Sequence, residues 1–382
     1  MAKRKLLFSI SDSEIFDAYM SASTHFNMRA LFEEGRKRSI LYSAREDEES
    51  LAKKLSRQIY GFRELQPIED YFSQVARTDK TSSIEIEALL TQQEIKQIAD
   101  DLAEAAPEDE ITSYLDGTDV VVNTLYIKTD YSRNRFRQRQ SKQAVVRFDV
   151  RADKTVIVLP ATTKGREIAS AFQDRLQTSR ADKLVIREID LSSMTDPGMR
   201  TAFFTNLSSN YPHATLSDVT RMKLQASTRD IPTDVDSEEE EDLLSEIGVE
   251  AIEETAGGVL RAVSLAGSQL FGTSIFQQLR TRNFFITSLT WQSRLEGIGN
   301  PVVEFYAGFE DSEKCRLFRY STYTWRVRRD TGEYNESFTQ IPLPERLKFL
   351  DELYAHAAAC AKGIGMPVSV ETIDLDPSGE KA

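Results

Sequence analysis

The sequence contains little cysteine and little histidine, and it has no long apolar run. Its two cysteines, Cys315 and Cys360, cannot form a disulfide framework, and free thiols are typical of a reducing compartment. The three histidines, His25, His213 and His356, lie far apart and match no metal-ligand spacing, so neither a metal nor another cofactor is expected. No apolar run approaches the ~20 residues that span a bilayer, and acids follow the basic start too soon for a signal peptide. The sequence therefore predicts a soluble, cytoplasmic protein without a membrane partner.

Motifs for catalysis and nucleotide binding are also missing. The pair Gly257-Gly258 lacks a P-loop lysine, and no dinucleotide-binding fingerprint occurs. His356 and Cys360 lie four residues apart on one face of a predicted helix. They can be a nucleophile and its base, half of a metal site, or part of a packed alanine-rich face. The packed face is the preferred interpretation, so no residue is assigned a catalytic role.

The sequence does contain a globular composition with one strongly acidic block. Hydrophobic residues make up 40% and charged residues 29% of the 382 residues, which favours two or three folded domains. Eleven of the acids lie in Thr233–Glu254, which has no Lys or Arg, and the net charge of −13 falls to −2 without this stretch. The acidity is therefore local, and we interpret this part of the chain as an acidic linker with a short helix.

The order of the sequence patterns predicts an α+β fold. A helical N-terminal part is followed by a small mixed sheet module and then by a C-terminal antiparallel sheet packed by helices. The predicted regions are 1–115, mainly helical; 116–228, an α+β module; 229–256, the acidic linker and short helix; 257–366, a helix, a β-meander and a C-terminal helix; and 367–382, a loose tail. The boundary between two domains is expected at Ser227–Asp236, where apolar periodicity is lost.

Periodicity also predicts the individual elements. Helices are expected at 47–60 with Ile59 facing inward, 91–105, 164–176, from 196–197 onward, 211–225, one or two within 257–279, and 345–362. Strands are expected at 120–127, 145–150, 155–159, 184–189, 284–294, 302–309, 315–323 and 325–329. Ser11 or Ser13 is expected to cap the first helix.

The segment Arg133–Lys142 is the first candidate binding site. It carries four arginines, one lysine and no acid. Arginine side chains contact phosphates well, and an aromatic ring can stack on an unpaired base. We therefore predict a basic hairpin loop that binds nucleic acid through Arg133, Arg135, Phe136, Arg137, Arg139 and Lys142. The alternative is a solvated loop whose arginines pair with acids elsewhere.

The C-terminal sheet is a second candidate. Twelve of the 55 residues from Phe284 to Phe338 are aromatic, which is more than twice the chain average of 9%. Arginines alternate with these aromatic residues from Arg316 to Arg329. Such a face can stack bases. The same alternation arises when aromatic side chains point into the core and arginines point outward, and this second interpretation is preferred.

The turn before the helix predicted at 164–176 is a third candidate. It reads Thr162-Thr163-Lys164-Gly165-Arg166 and follows a predicted strand. A helix N-terminus with these donors can hold an anion, although strand-to-helix turns of this composition are common. We keep the five residues as a possible anion site.

Together these patterns favour a non-enzymatic binding or regulatory protein that contacts DNA or RNA through the basic segment. The first alternative is a protein-interaction subunit of a larger assembly, or a homo-oligomer, whose acidic segment docks a basic partner. An enzyme of an unrecognised family is the third alternative. A nucleic-acid partner predicts binding that weakens steeply as salt is added.

Overall fold

The structure is a computed structural model that describes residues 10–74, 79–107, 109–132, 135–151, 153–180, 184–227, 249–254, 260–297, 299–328 and 333–365. The chain divides into two compact units. The first unit comprises Met1–Thr78 and Gln93–Val145, and the second comprises Asp79–Gln92 and Val146–Ala382. This division differs from the predicted regions, because a stretch of the N-terminal region belongs to the second unit. Most of the predicted linker, the acidic helix and the tail lie outside the described residues.

The chain is α+β, as predicted. The helices are α1 (Asp12–Ser21), α2 (Met28–Lys37), α3 (Glu48–Ser56), α4 (Phe62–Gln74), α5 (Gln92–Ala105), α6 (Arg135–Gln138), α7 (Thr163–Ser179), α8 (Pro197–Ser209), α9 (Ser274–Thr281) and α10 (Leu343–Gly363). The strands are β1 (Thr81–Ile86), β2 (Glu110–Asp116), β3 (Asp119–Thr129), β4 (Arg139–Val150), β5 (Thr155–Pro160), β6 (Ile186–Arg187), β7 (Ala214–Ala226), β8 (Val249–Glu254), β9 (Leu260–Ala266), β10 (Phe284–Leu295), β11 (Val302–Asp311), β12 (Arg316–Arg326) and β13 (Thr339–Gln340).

Helices α1 to α4 supply most of the core of the first unit. The Ser11 side chain accepts a hydrogen bond from the Glu14 N–H, and the Glu14 carboxylate accepts one from the Ser11 N–H, so α1 begins as predicted. Helix α3 is shorter than predicted. It ends at Ser56, and Ile59 beyond it is 94% exposed instead of facing inward. The buried hydrophobic residues of this helical cluster are Ile15, Ala18, Tyr19, Ala22, Phe26, Leu31, Leu51, Ala52, Leu55, Leu65, Ile68 and Phe136.

Strands β2 and β3 form a hairpin in the first unit. Their register pairs Asp116 with Asp119, so Gly117 and Thr118 make a two-residue turn. Gly117 has a φ of +64°, a left-handed conformation that glycine adopts without steric cost. The strand predicted at 120–127 is confirmed as part of β3, and β2 is its unpredicted partner.

The second unit is built on an antiparallel sheet. From the last residues of β4, the strand order is β5, β1, β12, β11, β10, β7, β9 and β8. Strands β10, β11 and β12 are neighbours in sequence and in space, which confirms the predicted meander. β12 joins the strand predicted at 315–323 to the first two residues of the one predicted at 325–329, and it ends at Arg326. Every described strand pairing is antiparallel, so the module predicted as a mixed sheet is antiparallel too.

Strand β7 replaces the helix predicted at 211–225. Leu216, Val219 and Met222 are three residues apart, which is typical of a helix, yet all three contact the same core. The register of β7 against β10 shifts at three places, and two of these shifts leave an extra residue in β7. Such bulges lengthen the usual two-residue period of a strand. The helix prediction is wrong for this reason.

Strand β9 replaces the first part of the helices predicted within 257–279, of which only α9 is α-helical beyond a short 3-10 turn. Val263 and Leu265 are buried and alternate with small residues on either side. A run of small and apolar residues fits a helix or a strand equally well by pattern. Pairing with β7 and β8 decides in favour of the strand.

Strand β1 is buried although its sequence, TSSIEI, contains only two apolar residues. The Ser82 hydroxyl donates a hydrogen bond to a backbone carbonyl of β12 at 2.8 Å, and the Ser83 hydroxyl lies 2.6 Å from that of Tyr320. The Lys154 ammonium donates to the Glu85 carboxylate at 2.8 Å. Because hydrogen bonds satisfy these polar groups, β1 is stable in the interior without a hydrophobic pattern that would predict it.

Helices α8 and α10 pack against one face of this sheet. The final helix is confirmed, and Leu350, Leu353, Tyr354, Ala357 and Ala361 are its buried residues. The large aromatic residues of this core are Phe203, Phe204, Phe285, Trp291, Phe305, Phe309, Phe318 and Tyr320. Because successive strand residues alternate between faces, the residues between these aromatics lie on the opposite, polar face.

Candidate anion-binding surfaces

The segment Arg133–Lys142 connects β3 to β4. Its described part begins with α6, whose first residue is Arg135. Arg139 is already the first residue of β4, so part of the segment is strand and not hairpin loop. Arg133 lies outside the described residues, as do the side chains of Arg137 and Arg139.

Phe136 packs into the helical core of the first unit and is only 3% exposed. In this conformation its ring has no face open to a base, so the stacking role predicted for Phe136 does not fit its position. The ring instead holds the segment against the core that α1 and α4 supply. Phe136 is therefore an anchor for the basic segment.

The described cations of this segment differ in their surroundings. The Arg135 side chain is 46% exposed, and its Nε lies 3.4 Å from Oε1 of Glu14. Lys142 is half-buried and shares the strand face that buries Ala144. The pairing of Arg135 with an acid is what the solvated-loop alternative expects, whereas its exposure leaves it accessible to a ligand.

The turn at Thr162–Arg166 caps α7. The Oγ1 atom of Thr162 accepts a hydrogen bond from the Gly165 N–H at 3.1 Å, and Thr163 is the first helical residue. A side chain at Gly165 would place its Cβ 2.3 Å from the Pro160 carbonyl oxygen. Glycine is therefore needed for the close approach of helix and strand, which explains it without a ligand.

The two cations of this turn already have acidic neighbours. The Lys164 ammonium lies 3.5 Å from the Glu167 carboxylate, and Arg166 forms an ion pair with Glu310 on β11 at 2.5 Å. The five predicted residues thus lie together at the start of α7. The charges of Lys164 and Arg166 lie beside acids of the same chain, and the Gly165 N–H donates to Thr162.

His356 and Cys360 lie on the same face of α10. The Cys360 Sγ and the His356 Nε2 are 3.6 Å apart, and the His356 ring packs edge-on against Tyr211. Burial lowers the pKa of His356 and raises the pKa of Cys360. A neutral thiol beside a neutral imidazole is the arrangement of a packed pair, because an activated cysteine requires a lowered pKa.

Strand β12 separates its aromatic residues from its arginines. Phe318 and Tyr320 are buried in the core, whereas Arg319 between them lies on the polar face. Arg316 pairs with Asp190 at 3.1 Å, and Arg326 donates to a side-chain amide on β10 at 3.2 Å. Tyr323 and Trp325 are half-buried, Arg328 follows the strand, and Arg329 lies outside the described residues.

Two adjacent rows of residues cross the polar face. In the first row, the register aligns Lys223, Ser288, Gly308 and Arg319 on β7, β10, β11 and β12. Neighbouring strands lie about 4.8 Å apart, so the two long cations are about 14 Å apart at the backbone. Ser288 and Gly308 lie between them, and their small size allows the long side chains of Lys223 and Arg319 to extend toward each other.

The second row contains a tyrosine. It aligns Arg221, Thr290, Tyr306 and Ser321 on the same four strands. A Cβ at Gly308 would lie 2.8 Å from the Tyr306 hydroxyl, which shows that this side chain lies over the glycine of the first row. The absence of a side chain at Gly308 is what makes room for it.

Lys80 completes this arrangement from the residue before β1. Its ammonium lies 3.4 Å from the centre of the Tyr306 ring, which is a cation–π contact. Burial lowers the pKa of Lys80, the tyrosine opposes the shift, and the charges of Arg319 and Lys223 lower the pKa further. We call Lys80, Lys223 and Arg319 the cationic cluster.

The nearest carboxylates on β11 are engaged elsewhere. Glu310 pairs with Arg166, and Glu304 lies beside Thr324. Burial raises the pKa of Glu304, and the positive charge of Arg221 opposes this shift. In the described ranges, no carboxylate forms an ion pair with a member of the cationic cluster. The buried Nε of Arg319 also has no hydrogen-bond partner there.

Sequence patterns did not identify this cluster, except for Arg319. Lys223 falls in β7, for which a helix was predicted, and Lys80 precedes β1, which no hydrophobic pattern indicates. The three residues are far apart in sequence and no motif joins them. The available signal was the alternation of Arg319 with aromatic residues, which places one cation on the polar face.

Metal, membrane and family comparisons add no assignment. Among the residues that the structure describes, no three His, Cys, Asp or Glu side chains are grouped to hold a metal ion. No helix in these ranges is both long and apolar enough to cross a membrane. No known protein family matches the chain, and no curated protein matches it.

Proposed function

We propose that this is a non-enzymatic, cytoplasmic binding or regulatory protein that contacts nucleic acid through the segment Arg133–Lys142. The observation that carries the proposal is the burial of Phe136, which fixes the segment while Arg135 stays about half exposed. A segment that is already ordered loses less conformational entropy when it binds. A run of arginines without an acid suits the regular phosphates of a nucleic-acid strand. The two free thiols support a reducing compartment.

The proposal is tested by measuring oligonucleotide binding over a range of salt concentrations. Fluorescence anisotropy with a short single strand and a short duplex separates the two forms of nucleic acid. We expect the affinity of the wild-type protein to fall steeply with salt, because each neutralised phosphate releases a counterion. Replacing Arg133, Arg135, Arg137 and Arg139 by Gln should lower the salt slope on the single strand by about 0.7 for every phosphate that is no longer neutralised.

A matched variant controls for the change in net charge. Arg29, Arg36, Lys53 and Arg57 are exposed on α2 and α3 or next to them in the same unit, and their replacement by Gln removes the same charge. This control should bind almost as well as the wild type. Equal weakening of both variants, or no binding by the wild type at low salt, would overturn the proposal.

Strand β8 supports the second candidate, a protein-interaction subunit that docks a basic partner. β8 pairs with β9, and no other described strand pairs with it. Three of its six residues are Glu250, Glu253 and Glu254. An open edge can accept a further strand, and carboxylates favour a basic one.

An oligolysine peptide tests this second candidate. Replacing the three β8 glutamates by Gln should weaken the binding of the peptide more than replacing Glu33, Glu48 and Glu49 in the first unit, of which Glu33 and Glu49 are exposed and Glu48 is half-buried. Equal effects of the two triple variants would count against docking at β8 and would indicate a general attraction between opposite charges.

A further inference from the structure

We propose that the cationic cluster of the second unit is a binding site for a phosphate dianion, either as the free ion or as a phosphate monoester. This site is separate from the basic segment and does not depend on nucleic-acid binding. The proposal rests on five neighbouring strands that bring Lys80, Lys223 and Arg319 together: Lys80 lies on the Tyr306 ring, and Lys223 and Arg319 end the adjacent row.

The cluster gathers positive charge without internal compensation. The like charges of Arg319 and Lys223 act on Lys80, which is itself partly buried. Cations that repel one another are unfavourable in the free protein, and a multiply charged anion removes that repulsion. Of the acids on β11, Glu310 pairs with Arg166, and Glu304 forms no ion pair with the cluster in the described ranges.

The geometry also supplies donors that suit a phosphate group. Arg319 provides a planar fork of N–H donors, one of which is buried without a partner, and Lys80 and Lys223 each provide an ammonium. The Tyr306 hydroxyl and the side chain of Ser288 lie beside Gly308. Because the Tyr306 side chain lies over Gly308, the anion binds beside the tyrosine and not over the glycine. A dianion matches three cations better than a single carboxylate does.

The size of the cluster distinguishes this ligand from a nucleic-acid strand. The three cations belong to one short row of the sheet and to the tyrosine beside it, and they do not follow a long line along the surface. A strand of nucleic acid requires a groove that tracks successive phosphates. A single phosphoryl group requires only the donors that meet at one point.

The test is calorimetric titration of the full-length protein with inorganic phosphate and, separately, with phenyl phosphate. Ionic strength is held constant with sodium chloride, so that general screening does not change between titrations. We expect saturable one-site binding. Equal affinities identify the free ion as the ligand, and tighter binding of phenyl phosphate identifies a monoester.

Variants locate the binding. Arg319→Gln and Lys80→Gln should each lower the affinity by about tenfold or more, since each removes a charged hydrogen bond. The exposed cations Lys314 and Arg280 of the same unit provide controls, and Lys314→Gln and Arg280→Gln should leave the affinity unchanged. The variant with all four basic-segment arginines replaced should also keep full phosphate binding. Loss of binding in that variant, or equal affinities in cluster and control variants, overturns the proposal.

Thermal unfolding shows whether a variant that fails to bind phosphate is still folded. A ligand that binds only the folded state raises its melting temperature. Phosphate should therefore raise the melting temperature of the wild type but not that of Arg319→Gln. The ligand-free variant should melt at or above the wild-type temperature, because a repulsive charge has been removed. No shift in the wild type at millimolar phosphate would also overturn the proposal.

Discussion

The segment Arg133–Lys142 and strand β12 are both rich in arginine, but the fold arranges their charges in different ways. In the segment, the charged residues follow one another along the chain, and Phe136 anchors the segment to the helical core of the first unit. In β12, alternation sends Phe318 and Tyr320 into the core and Arg319 to the other face. There Arg319 shares a row with Lys223 and lies near Lys80, and these two lysines come from distant parts of the sequence.

The difference shows that charge density along a sequence does not measure charge density in space. The segment has the highest local count of arginines, yet its Arg135 already has an acidic partner in Glu14. The cluster has one cation from each of three strand regions, and no described ion pair compensates them. The following predictions test the buried residues that support the two surfaces, the glycine beneath the cationic cluster and the ion pair of the basic segment.

The largest expected effect is that of Phe136→Ala. Removing a buried phenylalanine should lower the free energy of unfolding by about 3–5 kcal/mol. Urea denaturation followed by circular dichroism measures the change. Ile59→Ala is the control, because Ile59 is 94% exposed and should change stability by less than about 0.5 kcal/mol. Unchanged stability combined with a failure to bind the oligonucleotide would show that Phe136 stacks on a base after all.

Leu350→Ala tests the packing beneath the aromatic side of β12. Leu350 is buried in the same core as Tyr320, so we expect a loss of about 2–5 kcal/mol in the free energy of unfolding. Leu343 on the same helix is exposed, and Leu343→Ala should have little effect. Similar denaturation midpoints for the two variants would mean that α10 is not anchored through Leu350.

Gly308→Ala tests the floor of the cationic cluster. The new Cβ would lie 2.5 Å from the Cβ of Ser288 and 2.8 Å from the Tyr306 hydroxyl, so neighbouring groups must move. We expect a loss of about 1–3 kcal/mol in stability, which is typical of overpacking. Gly272→Ala is the control, because nothing lies within 4 Å of a Cβ at that position. Equal stabilities of the two variants would contradict the close approach of Tyr306.

The smallest expected effect concerns the ion pair between Arg135 and Glu14. A double-mutant cycle with Arg135→Gln and Glu14→Gln should give a coupling of about 0.2–1 kcal/mol that shrinks as salt is added. The cycle is needed because the Glu14 carboxylate also accepts hydrogen bonds from Ser11 at the start of α1, so its single substitution disturbs more than the ion pair. A coupling that does not respond to salt would show that the two side chains interact through packing and not through charge.

Local signals in the sequence predicted local structure well. Ser11 and Glu14 mark the start of α1, and apolar periodicity places α5, α10 and the meander strands. The failures arise where tertiary pairing replaces the local pattern. Bulges give β7 a helical spacing, and hydrogen bonds let β1 be buried without apolar residues.

The same limits apply to the binding surfaces. The basic segment is visible as a run of arginines, but the burial of Phe136 depends on helices that lie far away in the sequence. The cationic cluster requires the order of β7, β10, β11, β12 and β1, which no short pattern encodes. Its members carry ordinary surface residue types, so only the register brings them together.

The polar composition of β1 also has a consequence for the timing of folding. Ser83 and its partner Tyr320 are 237 positions apart in the chain. At a synthesis rate of about 5–20 residues per second, β1 leaves the ribosome roughly 10–50 s before β12, its partner on the edge opposite β5, exists. A hydrophobic strand exposed for that interval would invite aggregation, whereas serine, threonine and glutamate keep a waiting strand compatible with water. The polar side chains that leave β1 without a hydrophobic pattern thus also lower the tendency of the unfinished chain to aggregate.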